Sequence, residues 1–175
     1  MFTEDKILND VYYNWVKFII NHRNYFLIWV SDDKDHFMTK NGELIFFEKL
    51  SNAKKYAEKM GLKIPEDICV YNIDEYAPND INIIDCKAVL ELWNILSDTA
   101  ASVKIPFEGD DVSHNTTYGK LVYGCNMPAL SNGYHYDPVW IDDEIAEINK
   151  ILASGIEILY DNLVSKKPFD RAIMS

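Results

Sequence analysis

The run YFLIWV, Tyr25 to Val30, places six apolar or aromatic residues in a row. It is too short for a typical helix and rich in aromatic and branched side chains. A segment of that kind reads as a strand covered on both faces. It is the central strand around which the neighbouring segments are placed.

Before it, Thr3 is placed to cap a helix whose first turn holds Glu4 and Asp5 against the positive end of the helix dipole. Ile7, Val11, Trp15 and Phe18 recur at helical spacing and predict that this helix runs to about Asn21. After the central strand, His36–Lys40 and Glu43–Phe47 flank Asn41-Gly42, a dipeptide that tolerates the positive φ angles of a tight hairpin turn. Ser51 is then a cap for a short helix with Ala53, Tyr56, Ala57 and Met60 inward, stopped by Gly61. Asp67–Ile73 is the next strand. Beyond the turn-rich Glu75–Asn82, Asp85 caps a helix with the stripe Val89, Trp93, Leu96 and Ala100, ending near Val103. Lys104 to Pro138 reads as irregular, a length of loop that is usually functional or held down by its own contacts. A last helix spans Asp142 to Leu163, with Ile145, Ile148, Leu152, Ile156 and Leu159 inward. The expectation is one α+β domain over residues 1–175: a mostly antiparallel sheet of about four strands, packed with N-terminal, central and C-terminal helices to one side.

A chain of 175 residues, 48% hydrophobic, can bury a sizeable core. YFLIWV is its longest apolar run, far short of the roughly 20 residues a membrane helix needs, so no membrane partner is expected. The opening MFTEDKILND lacks the basic start of a secretory signal and predicts a cytoplasmic protein. Cys69, Cys86 and Cys125 are odd in number and widely spaced, which predicts buried free thiols rather than disulfides or a metal knuckle.

The net charge of −11 is uneven: residues 64–117 hold 11 acidic and 2 basic side chains. Such a surface repels phosphate backbones, which argues against direct nucleic-acid binding, and attracts a basic protein. Asp74, Glu75, Asp80, Glu108, Asp110 and Asp111 fall in turn-like segments of this region, and an acidic binding face is the reading weighed against a merely solvated one. Trp15, Trp29 and Trp93 lie on inward stripes and read as core. Tyr118, Tyr123, Tyr134, Tyr136 and Trp140 lie in the irregular half, where tyrosine suits an interface because it joins an apolar ring to a hydroxyl. The candidate partner-binding residues are therefore Asp74, Glu75, Glu108, Asp110, Asp111, Tyr134 and Tyr136.

Enzymatic readings have less to rest on. Asp110, Asp111 and His114, with His135 and Asp137, have the atoms of a metal-dependent hydrolase, but their spacing fits no metal motif. There is no GxSxG elbow and no glycine-rich phosphate loop. A non-enzyme with no cofactor and no metal is expected, with the small hydrolase as the alternative.

The stretches WNILSD (Trp93–Asp98), YGKLVYGCNMPAL (Tyr118–Leu130) and YDPVWIDDEIAEINKIL (Tyr136–Leu152) resemble a family of bacterial immunity proteins of contact-dependent growth inhibition systems. The resemblance covers about residues 85–155. Gly119, Val122 and Tyr123 stand where that family has an acidic residue and bulkier aromatics. The resemblance implies a small cytoplasmic protein that binds the toxic C-terminal domain of a cognate inhibitor, a nuclease with a cationic groove, and blocks that groove. An EndoU-like RNase is the nuclease class it favours. It implies no catalytic residues.

Overall fold

The computed structural model describes residues 10–76 and 84–169. Tyr12–Ile20 and Arg23–Ser31 form strands β1 and β2, paired antiparallel along their whole length from Tyr12↔Ser31 to Ile20↔Arg23. The two-residue turn between them, Asn21-His22, has φ of 52° and 59°, the left-handed pair that matches the twist of a tight hairpin. The expected N-terminal helix is thus corrected over this stretch, while its cap at Thr3 lies outside the described residues. Trp15 and Phe18 are three apart, as on a helix. Val16, Phe18 and Ile20 alternate with Trp15 across the two faces of a pleated strand, and pairing with β2 lets both faces be buried.

The outer edge of β2 is covered by one interrupted strand. His36–Phe37 (β3) lies against Val30 and Trp29, and Phe46–Phe47 (β6) continues along Leu27 and Phe26. Between them Thr39–Lys40 (β4) and Glu43–Leu44 (β5) protrude as a small hairpin turning at Asn41 and Gly42, with φ of 54° and 80°. On the far side, Ile68–Asn72 (β7) pairs parallel to β1. The sheet order is β3-β2-β1-β7, with β6 also on β2. It is mostly antiparallel with one parallel edge, within an α+β fold.

Helices cover both faces, not one. Leu50–Lys59 (α1) lays Ala53, Tyr56 and Ala57 against Trp15, Phe26, Ile28 and Phe47. Lys49, not Ser51, is its N-cap residue, and Met60 stays exposed. On the other face Cys86–Ser102 (α2) and Asp142–Leu159 (α5) bury Trp93, Leu96, Ile148 and Leu152 over Val16, Phe18, Tyr25 and Leu27. Each such side chain contributes about 1.5–3 kcal/mol by leaving water. Asp85 caps α2 as expected, accepting from Ala88 N at 3.0 Å. The segment expected to be irregular contains another helix, Asn115–Gly124 (α3), and a single turn, Pro128–Ser131 (α4). Its sequence, NTTYGKLVYG, has weak helix propensity. Packing of Thr117 and Leu121 into the layer beside α2 holds it instead. After Leu159 the last helix loosens into a π turn, Tyr160–Val164.

Among the described residues, no helix is long and apolar enough to cross a membrane.

Candidate protein-binding surface

The carboxylates singled out in the turns are mostly occupied within the protein. Asp74 accepts from the backbone N–H groups of Asn21 and His22, at 2.7 and 2.8 Å, and so pins the left-handed turn of the β1–β2 hairpin. The His22 backbone bond is the main reason its carboxyl lies below the usual range. Glu75 accepts from Asn72 Nδ2 at 2.7 Å. Glu108 meets the Lys150 ammonium at 2.5 Å and is neutralised by it. Asp111 accepts from Ser113 N at 2.9 Å, folding its own turn, and the Ser113 contacts hold its carboxyl low. Asp80 lies outside the described residues.

Asp110 differs. It accepts from Ser97 Oγ of α2 at 2.6 Å, which docks it against that helix. Lys87, Glu91, Asn94 and Asp98 follow at four-, three- and four-residue steps along α2 and form one ridge. A cleft of about 370 Å³ separates this ridge from the sheet, floored by Val16, Trp29 and Ile95 and edged by Asp35, Glu91 and Asp98. A second cleft, about 230 Å³, lies on the other side of the ridge, where Asn94, Ser97 and Asp110 face Tyr118 of α3. Asn94 borders both, and neither is lined by a lysine or arginine among the described residues.

Burial pushes the Asp98 carboxyl up to about 6, with Asp35 and Asp110 adding to the rise while the hydrogen bond from the Trp29 indole opposes it. His36 also opposes the rise, so burial outweighs the indole and the imidazole together. Gly109 permits the Asp110 turn to reach α2. A Cβ there would stand 2.5 Å from the Phe107 ring and 2.7 Å from Trp93 Nε1.

The hydrolase alternative needs Asp110, Asp111 and His114 to converge, and they do not. Asp110 turns to Ser97 and Asp111 to Ser113, while His114 Nδ1 contacts Glu147, which also accepts from Thr117 Oγ1 at 2.5 Å. His135 pairs with Asp137 elsewhere, and among the described residues no group of three or more His, Cys, Asp or Glu side chains is placed to hold a metal ion. Cys86 is buried and Cys125 half-buried, and burial raises both thiols away from nucleophilic thiolate. Cys69, expected to be buried, is exposed on the edge strand β7.

Tyr134 and Tyr136 lie apart from those acids, on the segment that leads from α4 to α5. Asn132 and Gly133, with φ of 45° and 81°, end α4 and turn the chain into an extended strap. Sequence reasoning missed the side chains that hold it. Asn126 accepts from Tyr136 N at 2.7 Å and donates to Tyr136 O at 3.0 Å, replacing a strand partner. Lys120 donates to Val139 O at 2.5 Å and to Glu144 at 2.6 Å, with its ammonium 4.7 Å from the Trp140 ring centre. The strap runs over one end of α2: Asp137, Pro138 and Trp140 share a cleft with Asp85, Cys86 and Lys87.

Comparisons of the chain with protein-family models, with curated proteins and with solved structures give no match.

Proposed function

We propose that the protein is an immunity protein of a contact-dependent growth inhibition system, a stoichiometric cytoplasmic inhibitor of a cognate toxin domain with a basic surface. The observation that carries this reading is the acidic ridge of α2, flanked by two clefts that no lysine or arginine lines. Asp35, Glu91 and Asp98 edge one of these clefts around an apolar floor, and Asp110 lines the other. Such a surface suits the lysines and arginines with which a nuclease holds RNA or DNA. Occupying that groove excludes the nucleic acid by charge and by bulk. The WNILSD stretch, part of the resemblance to the immunity family, supplies Asn94, Ser97 and Asp98 of the ridge.

In this reading Asp98, Asp35, Glu91 and Asp110 receive the partner's cations, and Tyr134 and Tyr136 contribute buried area. A desolvated charge pair costs about 2–5 kcal/mol when one side is truncated, whereas a rim pair mainly changes the association rate. The toxin is taken as a nuclease, with the EndoU-like RNase class favoured by the family resemblance alone.

The test is to read the frames flanking the gene and, where one encodes a large secreted protein ending in a nuclease-like domain, to titrate that domain with this protein while following RNA cleavage. Cleavage should stop at one inhibitor per toxin. No complex at about 1 µM of each partner would end the proposal.

A further inference from the structure

The strap has an unusual combination of properties: its backbone is clamped, and apart from the half-buried Pro138 and Trp140 its apolar side chains face water. Asn126 satisfies both polar groups of Tyr136, and Lys120 grips the carbonyl of Val139. Ile141 N donates to Glu144, which Lys120 also holds. Even so, Tyr134 is 81% exposed, Val139 80% and Ile141 57%. A slack loop could fold such groups back onto the protein. This one is prevented from doing so, at the cost of leaving apolar area in water.

Gly124 at the end of α3 is part of the same device. A Cβ there would meet the Cys86 side chain and stand 2.9 Å from Pro138 Cγ, so only glycine lets the strap sit this close to α2.

We propose that the clamped segment Tyr134–Ile141 is a preorganised apolar anchor for the same basic protein partner that the α2 ridge receives. The inference rests on the proposed function and assigns the apolar half of that interface. Two observations select the occupant. The strap carries Asp137 and runs into Asp142 and Asp143, so a second copy would bring these carboxylates against their own kind, whereas a partner with a basic rim would pair with them. The strap also adjoins the ridge, because the cleft beneath Pro138 and Trp140 is bounded by Lys87, from which Glu91, Asn94 and Asp98 lead along α2. The strap thus meets the first turn of the helix, roughly 25 Å long, whose later turns carry the ridge. Holding the anchor rigid before contact spares the ordering entropy that a mobile loop would pay on binding.

The experiment is a calorimetric titration of the neighbouring gene's toxin domain against four proteins at two salt concentrations. They are the natural chain, Tyr134→Ser with Val139→Ser, Asn126→Ala, and Val112→Ser as an exposed apolar control away from the strap. Circular dichroism melting confirms that each is folded. The double variant should bind at least about 30-fold more weakly with the salt dependence of the natural chain, as expected for loss of apolar anchors. Asn126→Ala should weaken binding about 10-fold while amide exchange over residues 134–141 speeds up. The control should bind normally. If the double variant binds like the natural chain, the anchor is refuted and the immunity reading stands. Failure of the natural chain to bind removes both. A dimer of the natural chain, dissociated by the double variant, would assign the strap to a second copy and overturn the heterologous partner.

Discussion

The indole Nε1 of Trp29, on the second strand, donates a hydrogen bond of 2.9 Å to Asp98 on the long central helix. The bond ties sheet to helix at the rim of the acidic cleft, whose lining among the described residues includes no lysine or arginine. The same helix turn is fixed a second way, since Ser102 donates to the Asp98 carbonyl at 2.6 Å and accepts from Phe37 N at 2.8 Å. Asp98 is therefore held in place by neutral donors, with His36 as the opposing charge that acts on it and burial outweighing both.

Asp98 should make the protein less stable as pH rises. Its folded-state carboxyl titrates at about 6 against an ordinary 3.8, chiefly because of burial, so the folded protein binds the proton more tightly than the unfolded chain. The stability from this group is fully present below about pH 4 and is lost as pH climbs through about 6. After allowance for solvent screening of a part-exposed group the loss is about 1 kcal/mol. Asp98→Asn retains an oxygen for the indole and should flatten this slope in urea titrations between pH 4 and 7. It should raise stability at pH 7 while weakening the toxin complex. An unchanged slope would show that Asp98 does not titrate in this range.

Asp74 belongs to the fold and not to the interface. Asp74→Ala deprives Asn21 and His22 of the acceptor that holds them in left-handed geometry, so the melting temperature should fall. The depressed carboxyl makes the sign opposite to that of Asp98: its contribution is present above the ordinary carboxylate range and lost as pH falls through the folded value. Toxin affinity at 25 °C should not change. A weaker complex from a fully folded variant would return Asp74 to the binding face.

What the sequence revealed and what it hid follow one physical division. Long periodic elements with an end signal were legible: α2 has its stripe and its Asp85 cap, and the Asn41-Gly42 turn is where composition places it. β1 was misread because three-residue spacing of Trp15 and Phe18 is shared by a helix stripe and by a strand buried on two faces. α3 was hidden because neighbours, not propensity, stabilise it. The acidic character of the middle third was visible, but the direction of each carboxylate was not. Turn hydrogen bonds engaged Asp74 and Asp111 at the surface, and Lys150, 42 positions away, neutralised Glu108. Of the described turn carboxylates only Asp110 lines one of the two clefts, while Asp35, Glu91 and Asp98 were overlooked because they lie outside the turn segments whose carboxylates were singled out.

Gly109→Ala tests how tightly the Asp110 turn is docked. The new methyl group would overlap Phe107 and Trp93, both buried, and neither ring is a flexible chain end that swings aside. Overpacking of this kind should destabilise the protein by about 1–3 kcal/mol, read as a lower urea midpoint with an unchanged slope. Full stability in the alanine variant would mean that the turn has room and that Asp110 is not fixed beside α2.

The ridge and the spent carboxylates should separate in association kinetics. Glu91 lies exposed on the ridge with a basic neighbour, Lys87, at 3.9 Å, a distance and exposure at which the pair contributes little. Glu91→Lys reverses the charge at the mouth of the larger cleft and should slow association with a basic toxin domain about 10-fold at low salt, with the difference shrinking as salt is added. Asp111→Lys, by contrast, makes the same two-unit change of charge in a turn whose carboxylate faces Ser113, and should alter the association rate little. Stopped-flow mixing at several salt concentrations distinguishes a local field from a global one. If both variants slow association equally, the toxin is steered by net charge alone, and the α2 ridge has no special place in the encounter.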